Sequence, residues 1–68
     1  MIIYKDILTK LKDAGYTTTR LRKEKIIGES ILTRIRNNKA ITTDTLDLIC
    51  ELTGLDVSDL IEYRKKSD

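Results

Sequence analysis

Glu29, Ser30, Thr33, Arg34 and Asn37 are the residues whose types and spacing suit chemistry with a ligand. At intervals of three and four they fall along one side of a helix, while Leu32 and Ile35 fall on the other. The outward side mixes hydroxyls, an amide, a carboxylate and one guanidinium in place of uniform charge. Such a mixture suits base-pair edges, which present donors, acceptors and methyl groups in the major groove of a duplex. Arg34 is the first candidate for base readout, bidentate to a guanine, where one such contact is worth roughly 1–3 kcal/mol. Its alternative role is a surface partner for an acid such as Glu29 or Glu24. Ser30 and Thr33 can contact bases directly or through water. Glu29 can accept from a cytosine amino group or serve only the helix dipole.

A second set suits phosphate oxygens, which fix register without reading sequence. Asn37, Asn38 and Lys39 follow the helix with two amides, exposed backbone N–H groups and an ammonium; the other reading is a plain solvated loop. Thr18, near the start of the preceding helix, can donate to a phosphate with help from the helix dipole, or can simply continue that helix's cap.

The elements that must position these groups are two short helices meeting at a tight turn around Ile26-Ile27-Gly28, a helix-turn-helix. Thr17 is placed to cap a helix over 18–25, with Tyr16 stapled onto Leu21. Gly28 is a weaker but legitimate N-cap for a helix over 29–37. Ile31 either buries against the preceding helix or touches a thymine methyl. Ahead of this pair, Ile3, Ile7 and Leu11, with Tyr4 and Leu8 beside them, give the stripe of a scaffold helix over 2–14 ended by Gly15. Thr42 or Thr43 caps a fourth helix over 44–53, with Leu46, Ile49, Cys50 and Thr53 on one face and Gly54 at its end. Asp56 and Asp59 form a capping-box-like start for a last helix over 57–63 carrying Val57, Leu60 and Ile61, with Tyr63 over the core edge. Residues 64–68 are expected to fray.

Bulk properties agree with one all-α domain over 1–68. The chain has no Pro, Trp or Phe, three Gly, and is rich in Leu, Ile and charged residues. The absence of His and the presence of one Cys exclude an ordinary zinc site and an internal disulfide, and fit a reducing cytoplasm. Cys50 reads as a small buried hydrophobe. No apolar run is long enough for a membrane span, and no cofactor or small-molecule ligand is evident. With no His and no carboxylate pair near a plausible pocket, an enzyme is not expected. Charge is localised: residues 20–39 hold seven basic and two acidic side chains, a net +5, inside a chain whose total is +2.

Ser30-Ile31-Leu32-Thr33-Arg34-Ile35-Arg36-Asn37, Thr45-Leu46-Asp47-Leu48-Ile49-Cys50-Glu51-Leu52, and the ending Leu55-Asp56-Val57-Ser58-Asp59-Leu60-Ile61-Glu62-Tyr63 carry a resemblance. Five helices in this order, with the second and third as the tight pair, resemble the Cro/repressor (lambda-repressor-like, XRE) helix-turn-helix family of bacterial, phage and plasmid-borne regulators. The resemblance spans Ile3 to about Tyr63 and implies a compact five-helix DNA-binding domain acting in transcription. It implies base reading at Glu29, Ser30, Thr33 and Arg34, and phosphate contacts at Thr18 and Asn37 to Lys39. Two residues depart from the pattern: Arg22 stands where a small residue is usual, and Ile26 where the turn usually holds Gly.

A module of this size contacts about half a site, so a symmetric dimer on half-sites about 34 Å apart is the expected working form. Leu60, Ile61 and Tyr63 are the candidates for its interface. The rival reading from another class is a protein-interaction module, an antitoxin-like or anti-repressor component on the same fold.

Overall fold

The computed structural model describes residues 1–65. In chain order the elements are strand β1 (Ile2–Tyr4), helices α1 (Ile7–Asp13), α2 (Thr18–Lys23), α3 (Glu29–Arg36), α4 (Thr43–Thr53) and α5 (Val57–Leu60), and strand β2 (Ile61–Tyr63). Five helices are present among the described residues, and the all-α description needs one correction: the two ends of the fold form a small antiparallel sheet. Ile2 stands opposite Tyr63, Ile3 opposite Glu62 and Tyr4 opposite Ile61.

That sheet shortens both outer helices relative to the sequence reading. Ile2-Ile3-Tyr4 is a run of β-branched and aromatic residues, which favour an extended backbone when a partner strand is at hand. Asp6, at φ 51 and ψ 45, turns the chain through a left-handed conformation before α1 begins at Ile7, so the helix expected over 2–14 starts five residues late. The helix expected over 57–63 stops at Leu60, because Ile61 is extended at φ −137, ψ 157 and opens β2. The fraying expected of residues 64–68 lies, beyond Lys65, outside the described residues.

The caps follow the sequence. The Thr17 hydroxyl accepts from Arg20 N–H at 3.2 Å, and Thr42 does the same for Thr45 N–H. The Asp59 carboxylate reaches back to accept from Asp56 N–H at 3.1 Å at the start of α5, and Gly54 ends α4 at φ 72. Each orphan donor satisfied in this way is worth roughly 1 kcal/mol.

One cluster of Ile7, Leu11, Leu21, Ile27, Leu32, Ile35, Ile49 and Leu60 forms the core, with every helix contributing. Burying each such side chain is worth roughly 1.5–3 kcal/mol. On α4 the buried residue is Ile49, whereas Leu46 is only half-buried and stands outside the core cluster. Cys50 is a free thiol packed against the core as a partly buried side chain. Leu60 has no exposure, so it belongs to the chain's own interior and is not available to a second protomer. Ile61 is half-buried and Tyr63 is 71% exposed.

Candidate nucleic-acid interface

Helix α2 contributes one buried side chain, Leu21, and exposes the rest apart from half-buried Thr18. Its chain then reverses through Lys25, held at φ 55, while Ile26 and Ile27 N–H both donate to the Leu21 carbonyl at 2.9 and 3.3 Å. The left-handed residue of the turn is therefore Lys25, one place before Ile26. Ile26 is half-buried and Ile27 is 2% exposed, so a residue with a large apolar side chain is used at the position where the resemblance expects Gly. Gly28 at φ −72, ψ 159 is the N-cap of α3, its carbonyl accepting from Leu32 N–H at 3.1 Å.

Helix α3 turns Leu32 and Ile35 into the core and packs half-buried Ile31 against it, which settles Ile31 on the side of burial. Glu29, Ser30, Thr33 and Arg34 all stand on the exposed side. Ser30 and Thr33 hydroxyls make no hydrogen bond among the described residues. The Arg34 guanidinium donates to the Ala40 carbonyl at 3.4 Å, a long and weak bond, and has no acidic partner among the described residues. It pairs with neither Glu29 nor Glu24.

Glu29 is engaged elsewhere. Its carboxylate accepts from Arg22 at 3.1 Å and lies 3.5 Å from Arg36, so one acid ties the exposed side of α2 to both ends of α3. Arg22, in the place where a small residue is usual, is exposed and reaches over the helix pair instead of lying between its members. Glu24 pairs with Arg20 at 2.7 Å, and that guanidinium also sits 4.7 Å over the Tyr16 ring. Glu24 and Glu29 are thus both spent on arginines. Lys23, Lys25, Arg34 and Lys39 keep their charge unpaired among the described residues, so the positive character of this surface survives the pairing.

The residues expected at phosphates are Thr18, Asn37, Asn38 and Lys39, and their surroundings differ. Thr18 opens α2 and its hydroxyl makes no hydrogen bond among the described residues. Asn37 donates one amide N–H to the Thr33 carbonyl at 3.0 Å, and Lys39 is exposed. Asn38 is different. At φ 54 it takes the left-handed turn that ends α3, and its carboxamide accepts from Tyr4 N–H at 2.9 Å and donates to the Ile2 carbonyl at 2.8 Å. Its carboxamide oxygen and one of its two amide N–H groups are committed to β1, so its first role is to join that strand to the loop after α3. The Tyr4 hydroxyl adds a bond to the Lys39 carbonyl. Residues at the chain's start therefore position the loop after α3, a role that no local spacing announces because the partners are 34 and 35 residues apart.

Short helices surround a single core, two of them are joined by a tight turn, and one presents a polar, hydrogen-bonding side beside cations that are unpaired among the described residues, an arrangement that fits a helix-turn-helix DNA-binding domain. Residues 7–66 match the family described as Cro/C1-type HTH DNA-binding domain, and the chain belongs to that family. Its function is DNA binding of the kind regulators perform, and double-stranded DNA is its partner. No curated protein and no solved structure matched in the other comparisons. No helix of the described residues is long and apolar enough to cross a membrane.

Proposed function

We propose that the chain is a sequence-specific regulator of transcription in which α2 and α3 are the helix-turn-helix and α3 lies in the major groove. The observation that carries this reading is the outward side of α3, where Ser30, Thr33 and Arg34 are exposed with their donors uncommitted or weakly held. Arg34 reads a guanine, Ser30 and Thr33 contact bases or bridging waters, and Glu29 reaches a cytosine only by releasing Arg22 and Arg36. Thr18, Asn37 and Lys39 grip phosphates on either side. The working form is a dimer on two half-sites about 34 Å apart, acting in the cytoplasm as a binding protein and not as an enzyme.

The experiment is selection of duplexes from a random pool, followed by mobility shifts of the enriched sequence at two salt concentrations. An enriched motif whose binding weakens steeply with salt supports the reading. A chain that enriches nothing and ignores every duplex at low ionic strength overturns it and leaves the protein-interaction module in its place.

A further inference from the structure

No side chain from Arg36 to Ala40 is buried, so packing does not fix the loop that leaves α3. Open clefts flank it. One is lined by Asp6, Thr9 and Arg36, the other by Ile2, Ala40 and Ile41, and Tyr4 and Asn38 stand at both. The loop is held by hydrogen bonds instead, and Lys39 is held at each end of its backbone. Its N–H donates to the Arg34 carbonyl at 2.7 Å, which ties it to α3. Its carbonyl accepts from the Tyr4 hydroxyl, which ties it to β1. One residue on, the Ala40 carbonyl has only the long contact from Arg34 at 3.4 Å among the described residues.

Tyr4 is well placed to fix that carbonyl. Its ring packs against the core, and its own N–H is bonded to the Asn38 carboxamide oxygen at 2.9 Å. The hydroxyl therefore sits on a ring pinned at its backbone end and along its packed face, with little freedom to follow the loop. A donor already ordered by its surroundings loses little further entropy when it bonds. The Asn38 bonds do not duplicate this one. They join Asn38 itself to β1 and stop one residue short of the Lys39 carbonyl.

We propose that Tyr4 is a positioning residue for DNA binding: its hydroxyl sets the Lys39 peptide, and with it the place where the Lys39 ammonium meets a phosphate. This rests on the reading above, in which Lys39 grips the duplex backbone. Lys39 is exposed and has no acidic partner among the described residues, so its side chain is directed by the backbone it hangs from. A lysine is a compact charge on a flexible four-carbon stem, and the root of that stem decides which phosphate falls within reach. Tyr4 needs no contact with DNA in this role. It acts through a carbonyl 35 residues away in sequence.

Tyr4→Phe keeps the ring and removes the hydroxyl, and circular dichroism checks that the variant is folded. In hydrogen exchange followed by NMR, without DNA, the Lys39 amide should speed up about fivefold more than the Leu11 and Ile49 amides, whose rates report the fold as a whole. In fluorescence anisotropy, Tyr4→Phe should weaken a specific and a scrambled duplex alike, by about threefold, and lower the salt slope by less than Lys39→Ala does. In a Lys39→Ala background the same change should leave affinity unmoved, because the group it positions is gone. A merely structural role would weaken binding equally with and without the Lys39 side chain. That result, or a Lys39 amide that exchanges no faster than the core, overturns the proposal. Wild-type binding that survives Tyr4→Phe unchanged overturns the proposal alone, whereas a wild-type chain that ignores every duplex takes the reading of function down with it.

Discussion

Tyr4 N–H and the Asn38 side-chain oxygen stand 2.9 Å apart across 34 residues of sequence, and this bond joins the first strand to the loop that ends α3. Asn38→Ala removes it together with the bond to the Ile2 carbonyl, and places a residue with poor tolerance for left-handed backbone at φ 54. The expected loss is about 1–3 kcal/mol. Asn38→Gly relieves the backbone without restoring either bond, so it should fall between wild type and the alanine variant in urea denaturation.

Ile49 and Leu46 lie on one helix but carry different loads. Ile49 has no exposure, so Ile49→Ala should cost about 2–5 kcal/mol, comparable with the whole stability of so small a domain. Leu46 is half-buried outside the core cluster, and Leu46→Ala should cost under about 2 kcal/mol. Thermal melts of the two variants read the difference directly.

Lys25 holds a left-handed conformation at φ 55 in the turn between α2 and α3. A lysine there carries strain that glycine does not, so Lys25→Gly should stabilise the fold by about 1 kcal/mol even after glycine's greater freedom in the unfolded chain is counted. An unchanged or lower melting temperature would show that the strain is relieved in some other way.

Arg34 and Lys39 separate reading from gripping. Arg34→Ala should flatten the preference at one base position, a loss of about 1–3 kcal/mol on the best duplex, while random duplexes bind nearly as before. Lys39→Ala should weaken all duplexes alike and reduce the slope of log affinity against log salt by about one. Fluorescence anisotropy on a specific and a scrambled duplex at several salt concentrations resolves both.

Glu29→Gln releases the guanidinium groups of Arg22 and Arg36. Those pairs are about half exposed, so stability should shift by less than about 1 kcal/mol. Affinity for random duplexes should rise, with the salt slope steepening by up to about two as the freed arginines reach phosphates. If Glu29 instead reads a cytosine, the same change erases a base preference, and the selected motif will lose a position.

The helix pair was legible because its signals are local. Thr17, Gly28, Leu21, Leu32 and Ile35 speak within a few residues of the structure they specify. The sheet was not, for a physical reason: Ile3, Ile7 and Leu11 repeat at four, which imitates a helix, and Ile2-Ile3-Tyr4 becomes a strand only because Ile61-Glu62-Tyr63 arrives beside it. The same distance hid the work of Asn38, whose residue type suits a phosphate and a strand edge equally. Arg22 and Arg36 were passed over because nothing in their spacing showed that a single carboxylate, Glu29, would collect both. Leu60 fitted the pattern of a surface anchor and of a core residue, and only the packed chain distinguishes them.

The pairing of the first strand with the last also has a meaning for synthesis. Contacts between neighbours in sequence form early, and those that close a long loop form late. As the chain leaves the ribosome, α1 to α4 can assemble while Ile2, Ile3 and Tyr4 still have nothing to pair with, and an unmatched apolar strand is a hazard for aggregation at that moment. Asn38 emerges well before Glu62, so the carboxamide that closes one edge of that strand in the finished fold is at hand before the partner strand is made.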